Sequence, residues 1–117
     1  MRRSVLKLLE DIRVAATSIR EYTQGFAEAD YLENKPVRRA VEREFEIIGE
    51  ALRRLSDSHP GVSARVTEIA QIISFRNVLA HGYDAVVDQR VWQAVTKNVP
   101  VLLAEVEALM EEEQAHQ

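Results

Sequence analysis

The chain has 117 residues, of which 46% are hydrophobic, so we expect residues 1–117 to form one domain around a single core. The absence of cysteine, and of any apolar run near the roughly 20 residues of a membrane span, argues against disulfides, a signal peptide and a membrane helix and favours the cytoplasm. With 15 basic and 19 acidic residues, the net charge of −4 disfavours nucleic-acid binding by the whole surface, so any RNA contact must be local.

The N-terminal segment has the pattern of an amphipathic helix. Its apolar residues repeat at spacings of three and four, which predicts a helix over about 3–22. Residues 23–34 break this period with Gly25 and scattered acidic residues. We therefore expect a connecting loop there, with three partly buried apolar residues, Phe26, Tyr31 and Leu32.

A second helix is predicted from the residues that follow. Asn34 is placed to cap its N-terminus, and Pro36 fits the first turn, where a missing amide hydrogen costs nothing. The apolar pattern ends near Ser56. Residues 57–61 are rich in turn formers, and Ser63 is suited to cap the next helix.

The second half of the chain predicts two further helical regions. The third helix is broadly apolar and ends at Gly82, a residue that readily takes the left-handed conformation of a helix C-terminus. After a linker at 83–87, the fourth region contains Pro100, which should kink or split it, and the polar tail 111–117 is expected to fray. These elements predict an all-α fold, an up-and-down bundle of four to five helices.

The histidines, Trp92 and the clustered arginines do not by themselves predict a metal or cofactor site. The three histidines fall in a turn (His59), at a helix end (His81) and in the tail (His116), which makes a poor metal site, so we expect no metal and no cofactor. Trp92 has a face on which a base could stack, but its helical spacing is more typical of a core residue. The clustered arginines are expected on solvated helix faces balanced by neighbouring glutamates.

One stretch concentrates polar functional groups where the apolar third helix ends. Arg76, Asn77 and His81 precede Gly82. On an ideal helix Arg76 and His81 are about 140° apart, but the arginine side chain is long and the helix stops at His81, so their side chains can converge. A histidine at a helix C-terminus lies at the negative end of the helix dipole, which favours its charged form and raises its pKa.

This pair suits phosphodiester chemistry. An imidazole can transfer protons as a general acid or base, and a guanidinium can hold a phosphate with two hydrogen bonds. One chain supplies one such histidine, so two proton transfers would be easier across a homodimer. The same residues also fit a plain structural reading, in which Arg76 forms a salt bridge, His81 caps the helix and Tyr83 packs.

The stretch from Arg76 to Tyr83 resembles the HEPN superfamily, and within it the HepT-like toxins, whose motif is Arg, four to six residues, His, any residue, Tyr. Here the motif reads Arg76, four residues, His81, Gly82, Tyr83. The phrases at 46–51 and 91–100 also resemble this branch, so the resemblance covers most of the chain.

The resemblance implies a function and a set of partners. By it, the protein would be a metal-independent endoribonuclease toxin of a type VII-like toxin–antitoxin pair, with Arg76 and His81 catalytic and Asn77 supporting, in a cleft across a homodimer. Its antitoxin would be an MNT-type nucleotidyltransferase that transfers AMP to Tyr83. The alternative that we keep open is a HEPN-like module that binds a nucleotide or a partner without cleaving RNA.

Overall fold

The protein is described here by a computed structural model, which covers the backbone of residues 2–68, 71–73 and 85–115. All regular secondary structure in these ranges is helical, which confirms the predicted all-α class. The helices are α1 (Arg2–Tyr22), α2 (Glu28–Glu33), α3 (Lys35–Ser58), α4 (Pro60–Ser63), α5 (Ala85–Gln93) and α6 (Val99–Ala115), and a π-helical turn (Ala94–Asn98) joins α5 to α6.

The core lies where α1 packs against both α3 and α6. α1 and α3 are strongly amphipathic, and α1 lies between α3 and α6 with buried residues facing both, because burial of apolar surface drives their association. The fully buried residues include Leu9, Ile12 and Ile19 from α1, Phe45, Ile48 and Leu52 from α3, and Leu102 and Val106 from α6.

The predicted loop at 23–34 is wrong in part, because it contains the helix α2. The carboxylate of Asp30 accepts a hydrogen bond from the Ala27 amide at 2.8 Å, which satisfies one backbone donor at the start of this helix. Tyr31 is fully buried rather than partly buried and holds the helix on the core. A helix of only six residues is too short to produce a readable apolar period.

The predicted start of the second long helix is confirmed. The Asn34 side chain accepts a hydrogen bond from the Val37 amide at 3.1 Å, and Pro36 lies in the first turn of α3. This helix continues to Ser58, slightly beyond the predicted end. Ser63 does not cap a following helix, since it is the last residue of α4 and donates instead to the Pro60 carbonyl.

Most of the predicted third helix lies outside the described residues, including its end at His81 and Gly82. A helical turn at 71–73 is described, with Ile72 buried at 2% exposure and Ile73 partly buried against the core. The predicted linker at 83–87 is too long, because α5 already begins at Ala85.

Pro100 splits the fourth helical region as predicted. It has no amide hydrogen to donate to the carbonyl of residue 96, so the regular α pattern cannot pass through it. The backbone responds with the π-helical turn, in which the Val99 amide donates to the Ala94 carbonyl five residues back.

The tail was predicted to fray, and this is wrong as far as Ala115, where α6 ends. Leu109 is buried and Met110 is partly buried against the core, which holds this part of the helix in place. Arg65 adds a contact from another element by pairing with Glu112. Within the described residues, no helix is both long enough and apolar enough to cross a lipid bilayer.

Candidate active site

The predicted site residues Arg76, Asn77, His81 and Tyr83 lie outside the described residues, within a stretch that we call the motif segment (residues 74–84). The structure describes the chain directly before this segment, at 64–68 and 71–73, and directly after it, from Ala85 onward. The two flanks are held by different parts of the molecule, and together they fix where the motif segment begins and ends.

Two residues of the N-terminal flank, Arg65 and Thr67, bind carboxylates of α6. The two terminal guanidinium nitrogens of Arg65 donate to the Glu112 carboxylate, at 2.9 and 2.5 Å. The backbone amide and the hydroxyl of Thr67 donate to the two oxygens of Glu105, at 3.0 and 2.6 Å. Two-pronged contacts of this kind fix orientation as well as distance.

The next residue, Glu68, connects this flank to the π-helical turn. Its carboxylate accepts a hydrogen bond from the side-chain amide of Asn98 at 2.6 Å. Glu68 has φ of 56°, a left-handed conformation that costs a residue with a side chain about 1–2 kcal/mol and persists only where surrounding contacts hold it. The carbonyl of Glu68 then accepts from the Ile72 amide at 3.1 Å, so this turn directs the chain into the helical turn at 71–73, of which Ile72 is buried.

The C-terminal flank is held by Arg38 of α3. This side chain is 16% exposed, forms an ion pair at 3.5 Å with Asp88 in the first turn of α5, and donates to the Leu32 carbonyl at the end of α2. One arginine thus joins three helices. Asp88 lies five positions after Tyr83 in the sequence, so this ion pair fixes the helix that emerges from the motif segment.

Trp92 belongs to the same support. Its ring lies 5.4 Å from the ring of buried Tyr31, with an angle of 31° between their planes. Burial raises the pKa of the Tyr31 hydroxyl, which keeps that group neutral. Trp92 is partly buried against the core, which confirms the packing role predicted for it over base stacking.

Glu42 lies close to this support and is 14% exposed, paired with Arg39 at 2.9 Å. Burial raises the pKa of its carboxyl more than Arg39 lowers it. A carboxyl whose pKa is higher in the folded state stabilises the fold below its unfolded pKa and loses that contribution as pH rises through the folded pKa.

Replacing Glu42 with glutamine is therefore expected to raise the free energy of unfolding at neutral pH, and the gain should disappear below about pH 4, where the native carboxyl is also neutral. Urea unfolding at a series of pH values measures this. Glu46→Gln is the matched control, since Glu46 is one turn away on α3 and 44% exposed. A loss of stability at neutral pH in Glu42→Gln alone would contradict the argument.

The clustered arginines whose side chains the structure describes are paired with acids, as predicted, while the side chains of Arg2 and Arg3 lie outside that description. Arg43 pairs with Glu46 at 3.2 Å, and Arg53 and Arg54 both reach Glu50. His59 lies in the turn between α3 and α4, as predicted, and His116 lies outside the described residues. Across the described ranges, no group of three or more His, Cys, Asp or Glu residues is placed to hold a metal ion.

The sequence was also compared with known proteins. A family model for HepT-like ribonucleases matches residues 12–109, which include the whole motif segment. The chain belongs to the HepT-like ribonuclease family. This membership confirms the resemblance to the HEPN superfamily and, at the level of the family, the predicted ribonuclease class.

Individual relatives agree with this family. The chain is 32% identical over 110 residues to a protein of Methanocaldococcus jannaschii named "Putative RNase", covering 91% of this chain and 96% of the relative. It is 34% identical over 113 residues to a Thermococcus cleftensis protein named "Probable ribonuclease HepT", covering 93% and 98%. No solved structure matches the chain significantly.

The supporting residues around the motif segment were not found from the sequence. Arg38 and Asp88 are 50 positions apart, and Thr67 and Glu105 are 38 apart, so neither pair leaves a local spacing signal. The sequence does contain one other signal after the motif segment: residues 89–104 contain no Asp or Glu in a chain that is otherwise rich in both, which indicates a stretch without negative charge.

Proposed function

We propose that this HepT-like protein is an endoribonuclease toxin that cleaves RNA without a metal ion through Arg76 and His81. The observation that carries the proposal is the family match across residues 12–109, which contains Arg76, His81 and Tyr83 at the spacing of the motif. The described flanks are consistent with it, because separate contacts fix the chain on both sides of the motif segment.

The proposed reaction uses the RNA's own 2′-hydroxyl. Its oxygen attacks the adjacent phosphorus, the bond to the 5′-oxygen of the next nucleotide breaks, and a 2′,3′-cyclic phosphate remains. His81 transfers a proton, and Arg76 stabilises the charge that builds on the phosphate oxygens. Asn77 is proposed to support the phosphate or the arginine with its amide.

We further propose that two copies form the working unit. The reaction removes one proton from the attacking hydroxyl and delivers another to the leaving oxygen, while each chain offers one motif histidine. A two-fold axis beside the motif segments would supply a second His81 to a shared cleft. The oligomeric state by sedimentation, measured together with activity, tests this part: a monomer with full activity would overturn it.

The proposed regulator is an MNT-type nucleotidyltransferase antitoxin that transfers AMP from ATP to the Tyr83 hydroxyl, with release of pyrophosphate. The attached phosphate adds negative charge and bulk two residues from His81 and would repel the RNA backbone. Intact mass and peptide mapping after co-expression with such an antitoxin measure the modification. Added AMP that maps to a residue other than Tyr83 would refute this acceptor.

The central test is incubation of purified protein, unmodified at Tyr83, with RNA in the presence of a chelator. We expect cleavage, with 2′,3′-cyclic phosphate ends on the products. Intact RNA would overturn the nuclease proposal and favour the alternative, a HEPN-like module that binds a nucleotide or partner without cleaving. Cleavage that requires added metal would overturn the metal-independent mechanism.

A further inference from the structure

Positive charge on the described surface is mostly neutralised by neighbouring acids. Most of the described Lys and Arg side chains form ion pairs, many of them with an acid one turn away on the same helix. A cation already paired with a carboxylate gains little from a phosphate, because it must first give up its partner. The paired cations are Lys7, Arg13, Arg38, Arg39, Arg43, Arg53, Arg54 and Arg65.

Arg90 and Lys97 differ from this pattern. Both are exposed, and within the described part of the chain neither forms an ion pair. Arg20 and Lys35 share that property, but each has an acidic residue within two positions in the sequence, Glu21 and Glu33 respectively. Between residues 89 and 104 there is no acidic residue, and the exposed residues described there are uncharged apart from Arg90 and Lys97.

The acids nearest to this stretch have partners of their own. Asp88 pairs with Arg38, at the start of α5. Glu105 accepts both hydrogen bonds from Thr67, at the other end of the stretch. Glu68, which precedes the motif segment, also lies close to this stretch, and its carboxylate accepts a hydrogen bond from the side-chain amide of Asn98. Since these carboxylates are already engaged, no acid among the described residues neutralises Arg90 or Lys97, and both side chains are exposed to solvent.

Arg90 and Lys97 both follow the motif segment closely in the sequence. Arg90 is on α5, the helix that directly follows the segment, and Lys97 is seven residues further, in the π-helical turn and roughly 10 Å along the axis. The π-helical turn Ala94–Asn98 begins between them, so α-helical spacing does not fix their relative angle. The side chains of Arg90, Gln93 and Lys97 are all exposed, however, and therefore lie on the solvent side of this part of the chain. Both cations therefore lie on the first elements that follow the motif segment in the chain.

We infer that Arg90 and Lys97 bind successive parts of the sugar–phosphate backbone of a single-stranded RNA whose scissile phosphate lies at the motif segment. The inference rests on the proposed ribonuclease function and adds a substrate-binding surface to it. Phosphate contacts position a strand without reading its bases, so this surface contributes affinity but no base preference. It also explains how an acidic protein can hold RNA: the attraction is local.

The test compares binding of a fluorescein-labelled 2′-O-methyl oligoribonucleotide of mixed sequence, which cannot be cleaved because its attacking hydroxyl is blocked. The test variant is the double substitution Arg90→Gln and Lys97→Gln. The control is Lys7→Gln with Arg13→Gln, which removes the same two charges from paired positions on α1. Fluorescence anisotropy over a series of salt concentrations gives Kd and its salt dependence, and circular dichroism checks folding.

We expect the Arg90/Lys97 variant to bind about three- to tenfold more weakly at low salt, with its salt slope reduced by about 1.4, as two lost single-strand phosphate contacts require. The control should bind as the wild type does, and cleavage of unmodified RNA by the test variant should show a raised KM with kcat little changed. Unchanged affinity in the test variant, or an equal loss in the control, would overturn the inference. If the wild type cleaves RNA in either case, the proposed function survives.

Discussion

Replacing His81 with alanine is expected to slow RNA cleavage by about 10²–10⁴-fold, because the substitution removes the group that transfers protons in the proposed reaction. Arg76→Ala should cost about 10²–10³-fold by removing positive charge from the phosphate in the transition state. Since both residues act in the same step, the double variant should be little slower than the worse single one. Single-turnover cleavage of a labelled RNA measures these rates.

Matched controls are available on the described surface. His59→Ala removes a histidine from the turn between α3 and α4, and Arg53→Ala removes an arginine that pairs with Glu50. Both should cleave RNA at nearly the wild-type rate. The catalytic assignment fails if His81→Ala stays fully active, and the structural reading of Arg76 and His81 gains if both motif variants lose helical circular dichroism.

Among substitutions in the described residues just before the motif segment, 64–68 and 71–73, Ile72→Ala is expected to lower the stability of the protein the most. Ile72 is 2% exposed and is four positions before Arg76 in the sequence. Its truncation should lower the free energy of unfolding by about 2–4 kcal/mol, through lost burial and the cavity left behind. Urea unfolding of both proteins at equal concentration measures the difference.

Ile73→Ala is the control for that substitution, because Ile73 is the adjacent residue of the same type and is only partly buried. It should lose clearly less stability. If the two variants are equally stable, Ile72 does not hold this part of the chain in the core. We also expect Ile72→Ala to lower kcat under conditions where it stays folded, since a looser anchor displaces the catalytic groups.

The long helices could be predicted because their signals are local. In α1 and α3 the apolar residues repeat at helical spacing, and Asn34 and Pro36 mark the start of α3 by their own chemistry. The position of the break before α6 followed from Pro100 in the same way. Each of these features depends on residues within one or two turns, so no knowledge of the rest of the chain was needed.

The errors fall where distant residues decide. The six residues of α2 are helical because Tyr31 is buried against α3 and α5 and Arg38 binds the Leu32 carbonyl. The tail stays helical to Ala115 because Leu109 reaches the core and Arg65 binds Glu112. Polar composition alone predicted the opposite in both places, because it carries no information about which surface lies opposite.

For the candidate site, the sequence by itself determined which residues form the motif and which family they belong to, since Arg76, His81 and Tyr83 are recognised by type and spacing. Only the tertiary structure decided how the segment's two ends are held: by α6 through Thr67, and by α3 through Asp88. The physical reason is that an ion pair or hydrogen bond depends on distance in space, and helices that pack together can bring together residues nearly 40 to 50 positions apart.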